Sequence, residues 1–203
     1  MDLNNLNSNL LDVLKELGNI GSGNAATALS TMINKRINMR VPQVKILDFK
    51  DISEILGDGE TPVVGIYFKM SDDIEGNIMF VLSIDSAINL TNMLFGRNDS
   101  KNELDDMDMS ALSEVGNILS ASYVNSLSTL TGLKLKISIP SICVDMAAAI
   151  LSVPAVQFGQ IGENVIFIET QFEEGDKLIK GDLFLIPEVD SFEKILSSLG
   201  VIL

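Results

Sequence analysis

Two residue types recur in this chain at one spacing that could do chemistry: a glutamate followed three positions later by an asparagine, as Glu16 with Asn19 and again as Glu114 with Asn117. An asparagine amide exchanges no proton usefully near neutral pH. It can donate to a water molecule and accept from it, and so fix the direction in which that water attacks. A carboxylate one helical turn away can pair with a cation on the target. Such a pair suits a substrate that brings its own metal and activated leaving group. An aspartyl phosphate on another protein is one, because phosphoryl transfer depends largely on positioning. The chain contains no histidine, so histidine-activated nucleophiles, histidine acid–base catalysis and histidine metal sites are all excluded. Ser22 and Ser120 consequently lack a histidine to activate them.

The elements that must position these residues are visible as a duplication. The stretch LKELGNIGSGNAATALSTMINKRINMRVP, Leu14 to Pro42, aligns without gaps on LSEVGNILSASYVNSLSTLTGLKLKISIP, Leu112 to Pro140. A looser match joins Ile74–Gly96 to Ile179–Gly200, each reading as a strand followed by a helix that starts at an Asp-Ser pair. In the first half the pattern predicts a helix over Leu10–Ile33, strands at Gln43–Phe49, Val63–Met70 and Gly76–Ser83, and helices at Ile52–Leu56 and Ser86–Phe95. In the second half ENVIFIETQF and KLIKGDLFLI, around EEGD, repeat the strand pair. The expected fold is α+β, internally duplicated and pseudo-twofold symmetric: an antiparallel sheet covered by helices, with the two long motif-bearing helices on one face. The polar segment Gly96–Asp106 is the expected link between repeats of about 1–101 and 102–203, which together form a single domain, 1–203.

Projected at about 100° per residue, Leu10, Leu14, Leu17, Gly21 and Ala28 fall on a buried stripe, and Asp12, Glu16 and Asn19 fall opposite it, toward solvent. The second helix turns Leu112, Val115 and Leu119 inward and Ser110, Glu114 and Asn117 outward. Two copies thus keep a carboxylate and an amide on an exposed face where the fold needs neither. Shared ancestry alone would also preserve some surface identities, so function and inheritance both remain open at this point. Gly18 and its counterpart Gly116 lie beside the exposed pair, where a glycine lets another backbone come close. Gly21 and Gly23, replaced by Leu119 and Ala121, instead suggest close helix packing.

Composition removes other classes. Fourteen basic residues against 28 acidic ones give a net charge of -14, which repels a phosphate backbone and argues against nucleic acid. One cysteine, Cys143, allows no internal disulfide and no cysteine zinc site. No apolar run reaches the roughly 18 residues of a spanning helix, so the expectation is a soluble, cytoplasmic chain without membrane insertion. GNIGSGN resembles a phosphate loop only superficially, since it sits within a helix pattern and lacks the lysine. The acidic loops SDD and EEGD read as solvated turns.

At these residues the sequence resembles the CheC family of chemotaxis phosphatases, part of a superfamily with CheX and FliY. The family pattern is Asp or Ser, then Glu, Asn and Pro at fixed intervals. It occurs here complete and twice, as Asp12, Glu16, Asn19, Pro42 and as Ser110, Glu114, Asn117, Pro140. The resemblance implies hydrolysis of the aspartyl phosphate on the response regulator CheY, with each Glu and Asn reaching into the receiver active site as the catalytic pair. It implies Mg²⁺ carried by the receiver and no metal or cofactor held by the phosphatase. It also implies a second partner, the receptor deamidase CheD, through Val144–Leu151, an apolar short helix begun by Asp145. That segment equally fits a helix packed on the core. A non-catalytic adaptor of the same fold is the alternative function.

Overall fold

The computed structural model describes residues 8–57, 59–97, 103–158, 164–174 and 177–200, and each copy of the repeat runs through the same succession of elements. The first copy is α1 (Ser8–Ile33), β1 (Asn38–Arg40), β2 (Val44–Asp48), α2 (Ile52–Leu56), β3 (Pro62–Asp72), β4 (Gly76–Ser83) and α3 (Ile84–Phe95). The second is α4 (Asp106–Thr131), β5 (Leu135–Ile137), β6 (Ser141–Met146), α5 (Ala147–Phe158), β7 (Asn164–Glu174), β8 (Lys177–Pro187) and α6 (Val189–Ser198). The expected boundary near Asn102 and the residue Glu163 lie outside the described residues.

All strands belong to one antiparallel sheet of order β1-β7-β8-β4-β3-β5, with β2 also on β7 and β6 also on β3. The copies therefore exchange edges: the second hairpin, β7–β8, accepts the short strands of the first copy, and β3–β4 accepts those of the second. Met79 and Phe184 pair at the centre, flanked symmetrically by Asn77–Ile186 and Val81–Asp182. Asn77 and Asp182 thus hold equivalent positions. Their hairpin partners are Lys69 and Glu169.

Alternation along the strands builds two apolar layers. Ile78, Phe80 and Leu82 point to the face covered by α1, α3, α4 and α6, while Met79 and Val81 point to the smaller layer with Ile52 of α2 and Ala147 and Ile150 of α5. The long helices lie side by side on the first face. Their seam is asymmetric, because a β-carbon at Gly21 would collide with the Tyr123 ring. In the repeat alignment Leu119 stands for Gly21 and Ala25 for Tyr123, so bulk is traded across the seam and close packing is kept.

Of the projected stripe on α1, Leu10 lies outside the residues whose side chains are described, and the rest needs one exchange. Leu14, Leu17, Gly21 and Ala25 are buried, and Ala28 is exposed rather than inward. A straight helix drifts relative to a flat sheet along its length, so a stripe drawn from Leu10 to Ala28 misses at its far end. The helix over Ser86–Phe95 begins earlier, at Ile84, and its N-cap is Ser83, whose side chain accepts from the Ser86 N–H. The edges also differ between copies. Val44 lies opposite Ile168 of β7, while its repeat equivalent, Ile142, lies opposite Ile66 of β3, the hairpin equivalent of Ile166. The second edge is slipped by two residues, which preserves its facing.

Candidate functional site

On α1, Asp12, Glu16 and Asn19 are exposed as the projection requires; on α4, Ser110 and Glu114 are exposed and Asn117 is half-buried. The side chains of Glu16, Asn19, Glu114 and Asn117 make no hydrogen bond or ion pair among the described residues, whereas their backbone is firmly set. Ser22 Oγ donates to the Asn19 carbonyl at 3.0 Å. Ser120, its counterpart, is fully buried with its hydroxyl unpartnered among the described residues. A free carboxylate and a free amide on a rigid helix are available to a partner at no cost in broken internal bonds.

The start of α4 is a further support that sequence reading passed over. Asp105 caps the helix: its carboxylate accepts from the Asp108 N–H at 2.9 Å, and Asp108 Oδ2 accepts from the Asp105 N–H at 3.1 Å. Asp108 Oδ1 meets Arg97 Nη1 at 2.6 Å, with Asp108 fully buried. Arg97 also lies 4.5 Å over the Phe95 ring. The second motif helix is thereby fastened to the end of the first copy, two residues before Ser110. The signal was present as Asp105-x-x-Asp108, a capping pattern with aspartate in place of the usual glutamate.

The glycines divide differently from the expectation. Gly18 and Gly116 are buried, not open to a partner: a β-carbon at Gly18 would stand 3.0 Å from Val41 Cγ1, and one at Gly116 2.8 Å from Ile66 Cγ2. They admit the protein's own strands. Gly21 serves the helix seam, as expected, but Gly23 does not, since nothing lies within 4 Å of a β-carbon placed there.

The prolines sit beyond the helices, Pro42 exposed before β2 and Pro140 half-buried before β6. The preceding residues differ sharply: Val41 is half-buried over Gly18, whereas Ile139 is 87% exposed. The slipped second edge accounts for this, because it carries Ile139 off the α4 surface. Asp145 is corrected. It lies in β6 opposite Val63, exposed, with its carboxylate accepting from the Met146 N–H at 2.8 Å, and α5 begins only at Ala147. The alanine run Ala147–Ala149 reads as helix in the sequence and drew the expected helix start back into the end of the strand.

The four motif residues lie on helix surface and line neither of two clefts among the described residues. The cleft of about 690 Å³ near the end of α1 is lined by residues from Ala26 to Ile37, and one of about 290 Å³ lies between β3, β6 and α5. Among the described residues, no three His, Cys, Asp or Glu side chains gather as a metal set, and no helix is long and apolar enough to cross a membrane.

Comparison with known proteins places the chain among relatives of one family and fold. The chain matches the CheC-like family over residues 11–46 and 107–144, two segments that contain both complete motifs and stop one residue short of Asp145. It is 35% identical over 202 residues to the CheY-P phosphatase CheC of Bacillus subtilis, covering 97% of each chain. It is 29% identical over 134 residues to the flagellar motor switch phosphatase FliY of the same organism, covering 64% of this chain and 34% of that one. Among solved structures, Thermotoga maritima FliY superposes with a TM-score of 0.76 at 25% identity, over 97% of this chain and 98% of that chain. With the family match around both Glu–Asn pairs and 35% identity over nearly the full length, the chain belongs to the CheC-like family.

Proposed function

We propose that this protein is a phosphatase that hydrolyses the aspartyl phosphate of a CheY-type receiver domain, working as one domain of two repeats with a Glu–Asn pair in each. The observation that carries this reading is the double occurrence of an exposed Glu with an exposed or half-buried Asn, internally unpaired among the described residues, on neighbouring rigid helices, in a chain 35% identical to a protein named as a CheY-P phosphatase. Asn19 and Asn117 each orient the attacking water. Glu16 and Glu114 pair with a cation of the receiver, which also brings the Mg²⁺. The chain needs no metal or cofactor of its own.

Phosphate release from a phosphorylated receiver tests this directly. Asn19→Ala and Asn117→Ala should each leave partial turnover, and the double variant should lose nearly all of it. Folding stability should shift by no more than about 0.5 kcal/mol for exposed Asn19. A double variant as fast as the parent sinks the water-orienting role and leaves only binding to the pairs.

We further propose CheD as a second partner, docking at the exposed β6 end around Asp145. Asp145→Lys should weaken the CheD complex while receiver dephosphorylation by the isolated protein stays unchanged. Equal CheD titration curves for the parent and the variant would remove the assignment.

A further inference from the structure

Of the three glycines inside α1, two are required by the protein's own packing and one is not. Gly18 makes room for Val41, and Gly21 for Tyr123. Gly23 is exposed with open space where a side chain would stand, although glycine is among the poorest residues for a helix interior. The helix runs on undisturbed through it, and its carbonyl accepts from Thr27 Oγ1 at 2.9 Å.

Its placement is specific. Gly23 lies four residues after Asn19 and seven after Glu16, so all three share one face of the helix. Ile20, four residues after Glu16, is 37% exposed beside them. The second copy replaces this pair with Ile118, which packs against the core, and Ala121, also half-buried. The open glycine beside an exposed isoleucine therefore belongs to the first site alone.

We infer that Gly23 is a specificity-determining position of the first site. Its missing side chain lets the backbone of the phosphorylated receiver lie directly on α1, against Ile20 and next to Glu16 and Asn19. This rests on the phosphatase reading. The occupant is a receiver segment adjoining the phosphoryl group, because the surface is continuous with the residues that would enter that active site.

The test uses the full chain carrying Glu114→Ala and Asn117→Ala, so that the first site alone works, and adds Gly23→Ala or Gly23→Leu. Both substitutions should raise the unfolding midpoint, by about 2–4 °C, since they improve helix propensity in empty space. Affinity for a receiver charged with beryllofluoride and Mg²⁺ should nevertheless fall, by about fivefold for Ala and by about thirtyfold or more for Leu. KM should carry the loss in dephosphorylation, and the same Gly23 substitutions placed on Glu16→Ala, Asn19→Ala should leave second-site kinetics unchanged. Affinities within about twofold of the parent in both variants overturn the proposal, as does a lowered midpoint, which would give the glycine a structural reason. The binding arm does not depend on turnover. Failure of the Asn19→Ala, Asn117→Ala test of catalysis is therefore read separately from failure at Gly23.

Discussion

The two motif helices carry the same Glu and Asn at the same spacing, but they are held in different ways. α4 is capped by Asp105, tied through buried Asp108 to Arg97, packed at Gly116 against Ile66, and keeps Asn117 half-buried. α1 presents Asn19 exposed, with Gly23 open next to it, and is covered at Gly18 by Val41 of its own copy. The second edge strand has slipped, leaving Ile139 bare where the first copy has Val41 packed. A duplicated scaffold can thus hold its Glu–Asn pair constant while the supports diverge. On the proposed reading the pair answers to the partner, and each support answers only to its own neighbours.

The sharpest way to break this comparison is at Arg97. Removing the guanidinium by Arg97→Ala takes this cation from the fully buried Asp108 carboxylate, a change that costs about 3 kcal/mol even though the Asp105 N–H still holds it. Denaturant unfolding reads this cost. The loss of phosphatase activity should fall mainly on the second site, seen as a larger drop in an Asn19→Ala background than in an Asn117→Ala background. Equal drops in both backgrounds would mean that the ion pair supports the fold as a whole and not the α4 motif.

What the sequence made legible follows the range of the interactions. Helix periodicity is local, so the inward Leu14, Leu17, Leu112 and Val115 and the outward Glu16 and Glu114 could be read directly. The duplication was legible because most of it requires no gap. Strand exchange was not, since nothing within Asn38–Arg40 or Leu135–Ile137 says that it pairs with a hairpin of the other copy. Three residues are also too few for an alternation to show. Asp145 was misplaced for a related reason: β6 is an edge strand exposed along most of its length, so it lacks the apolar alternation that marks a half-buried strand. The glycines needed three dimensions, because the same residue type serves a strand at Gly18, a helix at Gly21 and nothing internal at Gly23.

A smaller effect sharpens the comparison away from the site, at the equivalent hairpin positions. The first copy places Asn77 opposite Lys69, and the second places Asp182 opposite Glu169. Burial, and then the Glu169 charge, push the Asp182 carboxyl up to about 6, with Lys180 opposing them. Between about pH 4 and pH 6 the folded chain therefore holds a proton that the unfolded chain has released, so this group's contribution to stability falls as pH rises through that window. At neutral pH the remaining cost is of order 1–3 kcal/mol. Asp182→Asn, which installs the side chain that the first copy carries, should recover that amount at pH 7 and almost nothing near pH 3.5, where Asp182 is protonated in the folded chain and mostly protonated in the unfolded one. Urea titrations of parent and variant at the two pH values decide it. Equal stabilisation at both would show that amide packing, and not the buried charge beside Glu169, separates the two copies here.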